Sequence, residues 1–134
     1  MDPRALQLQS RSKRFAVQVI KFLRTIPRND ESRVIGTQLL RCSTSVGANY
    51  RSACMARSQA DFVSKIGIAC EEADESAYWL ELLVESGAVT QVKVSELVRE
   101  ANELVAIFGA SRKTAKESLP TTRNRQSSID NRQS

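Results

Sequence analysis

Four long stretches of the chain repeat their apolar residues at intervals of three and four positions. In the first stretch Phe15, Val19, Phe22 and Ile26 recur at this spacing, which is the period of one buried face of an α-helix. Only five glycines and three prolines occur among 134 residues, too few for the many turns of an all-β fold of this length. The pattern therefore predicts an all-α protein with a single core.

The four predicted helices are long, and the connections between them are short. This combination favours antiparallel neighbours, so residues 1–117 are predicted to form an up-down-up-down four-helix bundle. Pro27 should end the first helix, and Ser58 with Asp61 resembles a capping box at the start of the third. After the fourth helix the composition turns polar and basic, which predicts a disordered tail over 118–134. The predicted helices span about 12–26, 30–56, 58–86 and 94–116.

The residue types that usually carry chemistry are scarce. The chain contains no histidine, which removes the most common general base and the most common metal ligand. Cys42, Cys54 and Cys70 are far apart and form no C-x-x-C pair, so neither a disulfide framework nor a zinc site is indicated. We expect no catalytic residue, no metal and no cofactor. With no signal peptide and no apolar run of membrane-spanning length, a cytoplasmic protein is expected.

Charge is unevenly distributed along the chain. Residues 1–65 hold 12 Lys and Arg against 4 Asp and Glu, whereas residues 66–110 hold 2 against 9. A basic surface of this kind suits a nucleic-acid backbone. The alternatives are a solvated helix face or a contact with an acidic protein. The residues predicted to form this surface, on the side of the first helix away from the core, are Arg11, Arg14, Lys21, Arg24 and Arg28.

A polar strip follows the apolar face of the second helix. Its position predicts that it lies at the edge of a helix–helix contact, where Glu72 and Glu75 of an antiparallel third helix could pair with Arg41. We interpret the strip as a seam that fixes the packing register, with a ligand site as the alternative. Gly47 nearby would let a neighbouring backbone approach closely, which could offset its cost of about 1 kcal/mol within a helix. The residues of the strip are Gln38, Arg41, Ser45 and Asn49.

The third predicted helix carries apolar residues on two sides. One side is the stripe that the bundle core requires. The second side is typical either of a helix with a broad core contact or of one that also packs against another subunit. A large aromatic such as Trp79 commonly anchors an interface. The predicted oligomer interface consists of Ile68, Trp79, Leu82 and Leu83.

Two segments resemble the bacterial four-helix-bundle proteins called 23S rRNA intervening-sequence proteins. They are QLLRCSTSVGANYRSA at 38–53 and IACEEADESAYWLELLVESG at 68–87, and the resemblance covers about residues 12–110. It departs from the family at Arg51–Ala53, where many members have a short Glu-Gly. The resemblance implies an up-down bundle that assembles as a ring, commonly a homopentamer. A similar bundle is the accessory protein of diversity-generating retroelements, which binds a reverse transcriptase and nucleic acid.

Two functional hypotheses follow from the charge pattern and the resemblance. The first is a non-enzymatic homo-oligomer that binds nucleic acid, with RNA as the expected class, or a nucleoprotein, through the basic surface. The second is a protein–protein scaffold whose partner is acidic, which includes a reverse-transcriptase accessory role. Neither hypothesis involves a membrane or a small-molecule substrate.

Overall fold

The computed structural model describes residues 2–120, which form four α-helices. Helices that follow each other along the chain pack together, and the last helix returns to contact the first. In this part of the chain neither diagonal pair of helices brings Cα atoms within 8 Å of one another. This is the arrangement of an up-down-up-down four-helix bundle, so the predicted fold class is confirmed. The helices are α1 (Pro3–Leu23), α2 (Asp30–Cys54), α3 (Gln59–Glu85) and α4 (Gln91–Glu117).

The core is built from one apolar stripe of each helix. Phe15 of α1, Leu39 of α2, Leu80 of α3 and Phe108 of α4 are all fully buried. The helix α3 contributes several alanines to the core as well, and their small side chains let α2 and α4 approach it from either side. None of the helices within residues 2–120 is long and apolar enough to cross a membrane.

Helix α1 differs from its predicted bounds at both ends. It begins at Pro3 rather than near residue 12, because the Asp2 side chain accepts a hydrogen bond from the Arg4 N–H and Pro3 occupies the first turn, both of which start a helix well. It ends at Leu23 rather than at 26, since the Thr25 N–H and hydroxyl both turn back to the Phe22 carbonyl.

The other helix ends lie closer to the predictions. Ser58 caps α3 by accepting a hydrogen bond from the Asp61 N–H at 3.0 Å, and Gly87 follows the helix with a φ of 82°. Asn29 caps α2 in the same way through the Ser32 N–H, at 2.9 Å. Most of the predicted disordered tail, residues 121–134, lies outside the part of the chain that the structure describes.

Candidate nucleic-acid interface and inter-helix seam

The predicted polar seam lies on the outer edge of the contact between α2 and α3. Arg41 is its centre: the guanidinium donates to Glu75 Oε1 at 2.8 Å, to Glu72 Oε2 at 3.4 Å and to Gln38 Oε1 at 3.3 Å. Trp79 Nε1 lies 3.4 Å from the same Glu75 oxygen. The antiparallel course of α2 and α3 thus brings one arginine to two carboxylates and fixes their register at this height.

The two remaining seam residues do not reach across to α3. The Ser45 hydroxyl donates to the Arg41 carbonyl at 2.8 Å, and the Asn49 amide donates to the Ser45 carbonyl at 2.8 Å. Both side chains therefore satisfy the backbone of their own helix. This is a common choice for short polar side chains within helices, and it leaves the cross-helix contact to Arg41.

A buried thiol lies directly beneath the seam. Cys42 is fully buried, and burial raises the pKa of its thiol although the Ser76 hydroxyl, 3.2 Å away, opposes this. The Cys42 Sγ and one oxygen each of Glu72 and Glu75 lie within 4.8 Å of one another, so these three atoms could together hold a metal ion. Arg41, however, already pairs with both carboxylates. The arrangement is therefore that of a structural ion pair above a buried polar contact.

Lowering the pH is expected to raise the free energy of unfolding of the wild-type protein relative to that of the Glu72→Gln variant. Burial raises the pKa of the Glu72 carboxyl; Arg41 opposes this and Glu75 adds to it. The folded protein therefore binds a proton at this site more readily than the unfolded chain, and stability from this site grows as pH falls through the folded pKa. Urea unfolding of both proteins near neutral pH and at about pH 4.5 measures the change. The prediction is contradicted if the glutamine variant becomes more stable relative to the wild type at the lower pH.

Arg11, the first residue predicted for the basic surface, is engaged within the bundle. It donates to Glu100 on α4 at 2.8 and 2.6 Å and also to Glu103. The hydrogen bond to Glu100 is the largest of the effects that raise the pKa of its guanidinium. Its charge is therefore neutralised by a bridge between α1 and α4, which the sequence alone did not reveal.

The other predicted basic residues are exposed but do not form a single stripe on α1. Arg14 and Lys21 lie on α1, and Arg24 caps its end. Arg28 lies beyond α1, which ends at Leu23, so its placement on one helical face with the others was wrong. Residues share a helical face only where the chain is helical, turning by about 100° per residue. Among residues 2–120, Arg14, Lys21, Arg24 and Arg28 are exposed and form no ion pair.

The outer face of α3 is smaller than predicted. Leu83 is fully buried in the core, so its assignment to an outer face was wrong. Trp79 is half-buried and packs against the core. Ile68 is 40% exposed and Leu82 is half-buried. Tyr78, which was not predicted to belong to this face, is 55% exposed and meets Trp79 edge-on with ring centroids 4.9 Å apart.

A cavity at the corner between α1 and α2 was also missed. It has a volume of about 620 Å³ and is bordered by Arg24, Arg28 and Arg33. Its shape depends on the path of the connection between the helices. The one sequence signal for it was the run of Pro27, Arg28 and Asn29 after the first helix.

The comparisons with known proteins agree with this architecture. The model of the 23S rRNA-intervening sequence protein family matches residues 4–110. A crystal structure of a protein with unknown function from the S23 ribosomal protein family, from Bacteroides thetaiotaomicron, shares 35% sequence identity and superposes with a TM-score of 0.71. The match covers 78% of this chain and 97% of that chain. No functionally curated protein matches the chain significantly.

Proposed function

Because the chain belongs to the 23S rRNA-intervening sequence protein family, we propose that it is a non-enzymatic, homo-oligomeric bundle that binds nucleic acid, with RNA as the expected class. The observation that carries this proposal is that four of the five cations predicted for the basic surface are exposed and form no ion pair among residues 2–120. Free guanidinium and ammonium groups are the ones that can replace counterions on a phosphate backbone. The residues concerned are Arg14, Lys21, Arg24 and Arg28.

The acidic residues of the third helix support a sided arrangement. Helices α1 and α3 are diagonal in the bundle, so their outer surfaces face opposite directions. The exposed side of α3 carries four carboxylates without an ion pair among the described residues, namely Glu71, Asp74, Glu81 and Glu85. A polyanion would be repelled from this side and attracted to the side of α1. The uneven distribution of charge along the sequence therefore favours binding of a polyanion on the α1 side of the bundle.

The homo-oligomeric part of the proposal is supported by exposed apolar side chains. Ile68, Tyr78 and the half-buried Leu82 lie on the outside of α3, where a second copy of the chain would cover them. Light scattering of the purified protein tests this directly. A mass of several chains at micromolar concentration is expected, and the mass of a single chain would refute it.

Reversing two charges on α1 should sharply reduce RNA retention. In Arg14→Glu/Lys21→Glu two attractive interactions with phosphate become repulsive, and the slope of log affinity against log salt should shrink by about 2, roughly 1 for each cation replaced. Binding of a labelled RNA of mixed sequence is measured by filter retention across a salt series. The matched control is Lys113→Glu/Lys116→Glu on α4, which changes the net charge equally at exposed positions. An equal loss of RNA retention in both variants would refute the proposal. So would a failure of the wild type to retain RNA at low salt.

A protein partner is the second candidate, and one contact favours it. Arg11 already pairs with the carboxylates of Glu100 and Glu103, so one arginine of α1 binds acidic side chains within the bundle. An acidic protein, including a reverse transcriptase served by an accessory bundle, could use the neighbouring cations in the same way. Retention of an acidic protein at a salt concentration that releases RNA would favour this candidate.

A further inference from the structure

The connection between α1 and α2 leaves an open cavity that combines an apolar floor with a basic rim. The apolar residues of its lining, here called the floor, are Leu23, Ile26 and Leu40, and Leu40 is 41% exposed. The arginines of its lining, here called the rim, are Arg24, Arg28 and Arg33. The volume of about 620 Å³ lies within the range of about 300–1,000 Å³ typical of small-ligand sites.

A buried hydroxyl without a partner lies in the wall of this cavity. Ser32 is 1% exposed, and among the described residues its Oγ has no hydrogen-bond partner. Buried hydroxyls are nearly always hydrogen-bonded, so such a group calls for an explanation. Ser32 is the third residue of α2, and the helix N-terminus adds partial positive charge at the same place. The Oγ atom is shielded from solvent, so a rotation of the Ser32 side chain would bring the hydroxyl to an acceptor in the cavity, where this charge also acts.

The balance of charge around the cavity favours an anion. Asp30 is the one acidic residue in its lining, and its exposed carboxylate is paired with Arg33 at 3.0 Å. Arg24 and Arg28 form no ion pair with any residue in 2–120. Two free guanidinium groups on one rim match a group that carries more than one negative charge.

We propose that this cavity binds the phosphorylated end of an RNA strand, with the terminal phosphate on Arg24 and Arg28 and the terminal base on the apolar floor. This inference rests on the proposed function, because it assumes that RNA reaches this side of the bundle. A terminal phosphate monoester carries a charge of about −1.5 to −2 near neutral pH, whereas an internal phosphodiester carries one charge. The terminal group therefore suits two free arginines better than any position within the strand.

The apolar floor explains why a nucleotide fits better than a simple anion. An inorganic anion would leave Leu23, Ile26 and Leu40 uncovered, and a purely apolar ligand would leave the arginines and Ser32 without partners. A nucleotide has a flat base that can lie on apolar side chains or guanidinium planes, and a phosphate beside it. Single-stranded ends also present bases that are free to leave a stack.

The test compares short RNAs of one sequence that differ only at their ends. Labelled strands with a 5′-phosphate, a 3′-phosphate or hydroxyls at both ends are titrated with the full-length protein at fixed salt. We expect one of the phosphorylated strands to bind at least tenfold more tightly than the hydroxyl strand, and the better one identifies the end. Equal affinity of all three strands overturns the inference but leaves the proposed function intact. No binding of any strand overturns both.

Variants at the cavity separate end recognition from general attraction. Arg28→Gln and Ser32→Ala should each reduce the preference for the phosphorylated end several-fold. Ser32→Ala should not lower stability, because its hydroxyl has no hydrogen bond to lose within residues 2–120. In Arg14→Glu/Lys21→Glu, overall affinity should fall while the preference ratio is kept. An unchanged ratio in Ser32→Ala and Arg28→Gln, or displacement of phosphorylated RNA by an acidic peptide at lower concentration than by the RNA itself, would refute the proposal.

Discussion

Replacing Phe108 by alanine is expected to lower the free energy of unfolding by about 3–5 kcal/mol. Phe108 is fully buried on α4, and its ring centroid lies 5.2 Å from that of Tyr50 on the diagonally opposite helix α2. Because α2 and α4 do not pack directly, this pair fills the space between them. Its loss would leave a cavity that the four helix backbones cannot close, and total stability is only about 5–15 kcal/mol for a typical domain.

The measurement is urea unfolding followed through Trp79, the single tryptophan of the chain, which is half-buried against the core. The matched control is Phe62→Ala. Phe62 is also a phenylalanine that packs against the core, but it is half-buried near the start of α3, so a clearly smaller loss is expected. Equal losses in the two variants, or a loss below about 1 kcal/mol for Phe108, would show that the space between α2 and α4 can close.

Apolar periodicity identified the core correctly in α1, which makes one extensive contact, with α2, and a smaller one with α4. Phe15, Val19 and Phe22 of α1 are buried as predicted. The same reasoning failed at Leu83, because α3 makes extensive contacts with α2 on one side and α4 on the other. Its buried arc is therefore wider than one stripe, and a helical wheel cannot tell a wide arc from a second interface.

The contacts of charged side chains could be predicted only where they follow from the regular geometry of two packed helices. The contact of Arg41 with Glu72 and Glu75 follows from antiparallel packing of two regular helices. Arg28 was misplaced because it depends on where α1 ends, and a helix end is set by a few local hydrogen bonds such as those at Thr25. The pairing of Arg11 with Glu100 depends on the approach of the first and last helices, which the spacing of residues along one helix does not reveal.

The close approach predicted at Gly47 is confirmed, and it yields the second large expected effect. A Cβ at Gly47 would lie 3.3 Å from Ser12 Oγ, 3.4 Å from the Ser12 carbonyl carbon and 3.5 Å from the Lys13 nitrogen. Two of these three atoms belong to the backbone of α1 and cannot rotate away. Gly47→Leu should therefore push α1 off α2 and lower the free energy of unfolding by about 1–3 kcal/mol or more.

Gly67→Leu provides the matched control, because it is also a half-buried glycine within a long helix. A Cβ there would lie 3.0 Å from Nε of Arg112, which belongs to an exposed and flexible side chain that can swing into solvent. The gain in helix propensity, up to about 1 kcal/mol relative to glycine, should then dominate, and the variant should be as stable as the wild type or slightly more so. A loss of stability at position 67 equal to that at 47 would mean that any large side chain on these helices is harmful. Opposite signs at the two positions would identify the backbone of α1 as the obstacle and Gly47 as the residue that allows α1 to complete the bundle.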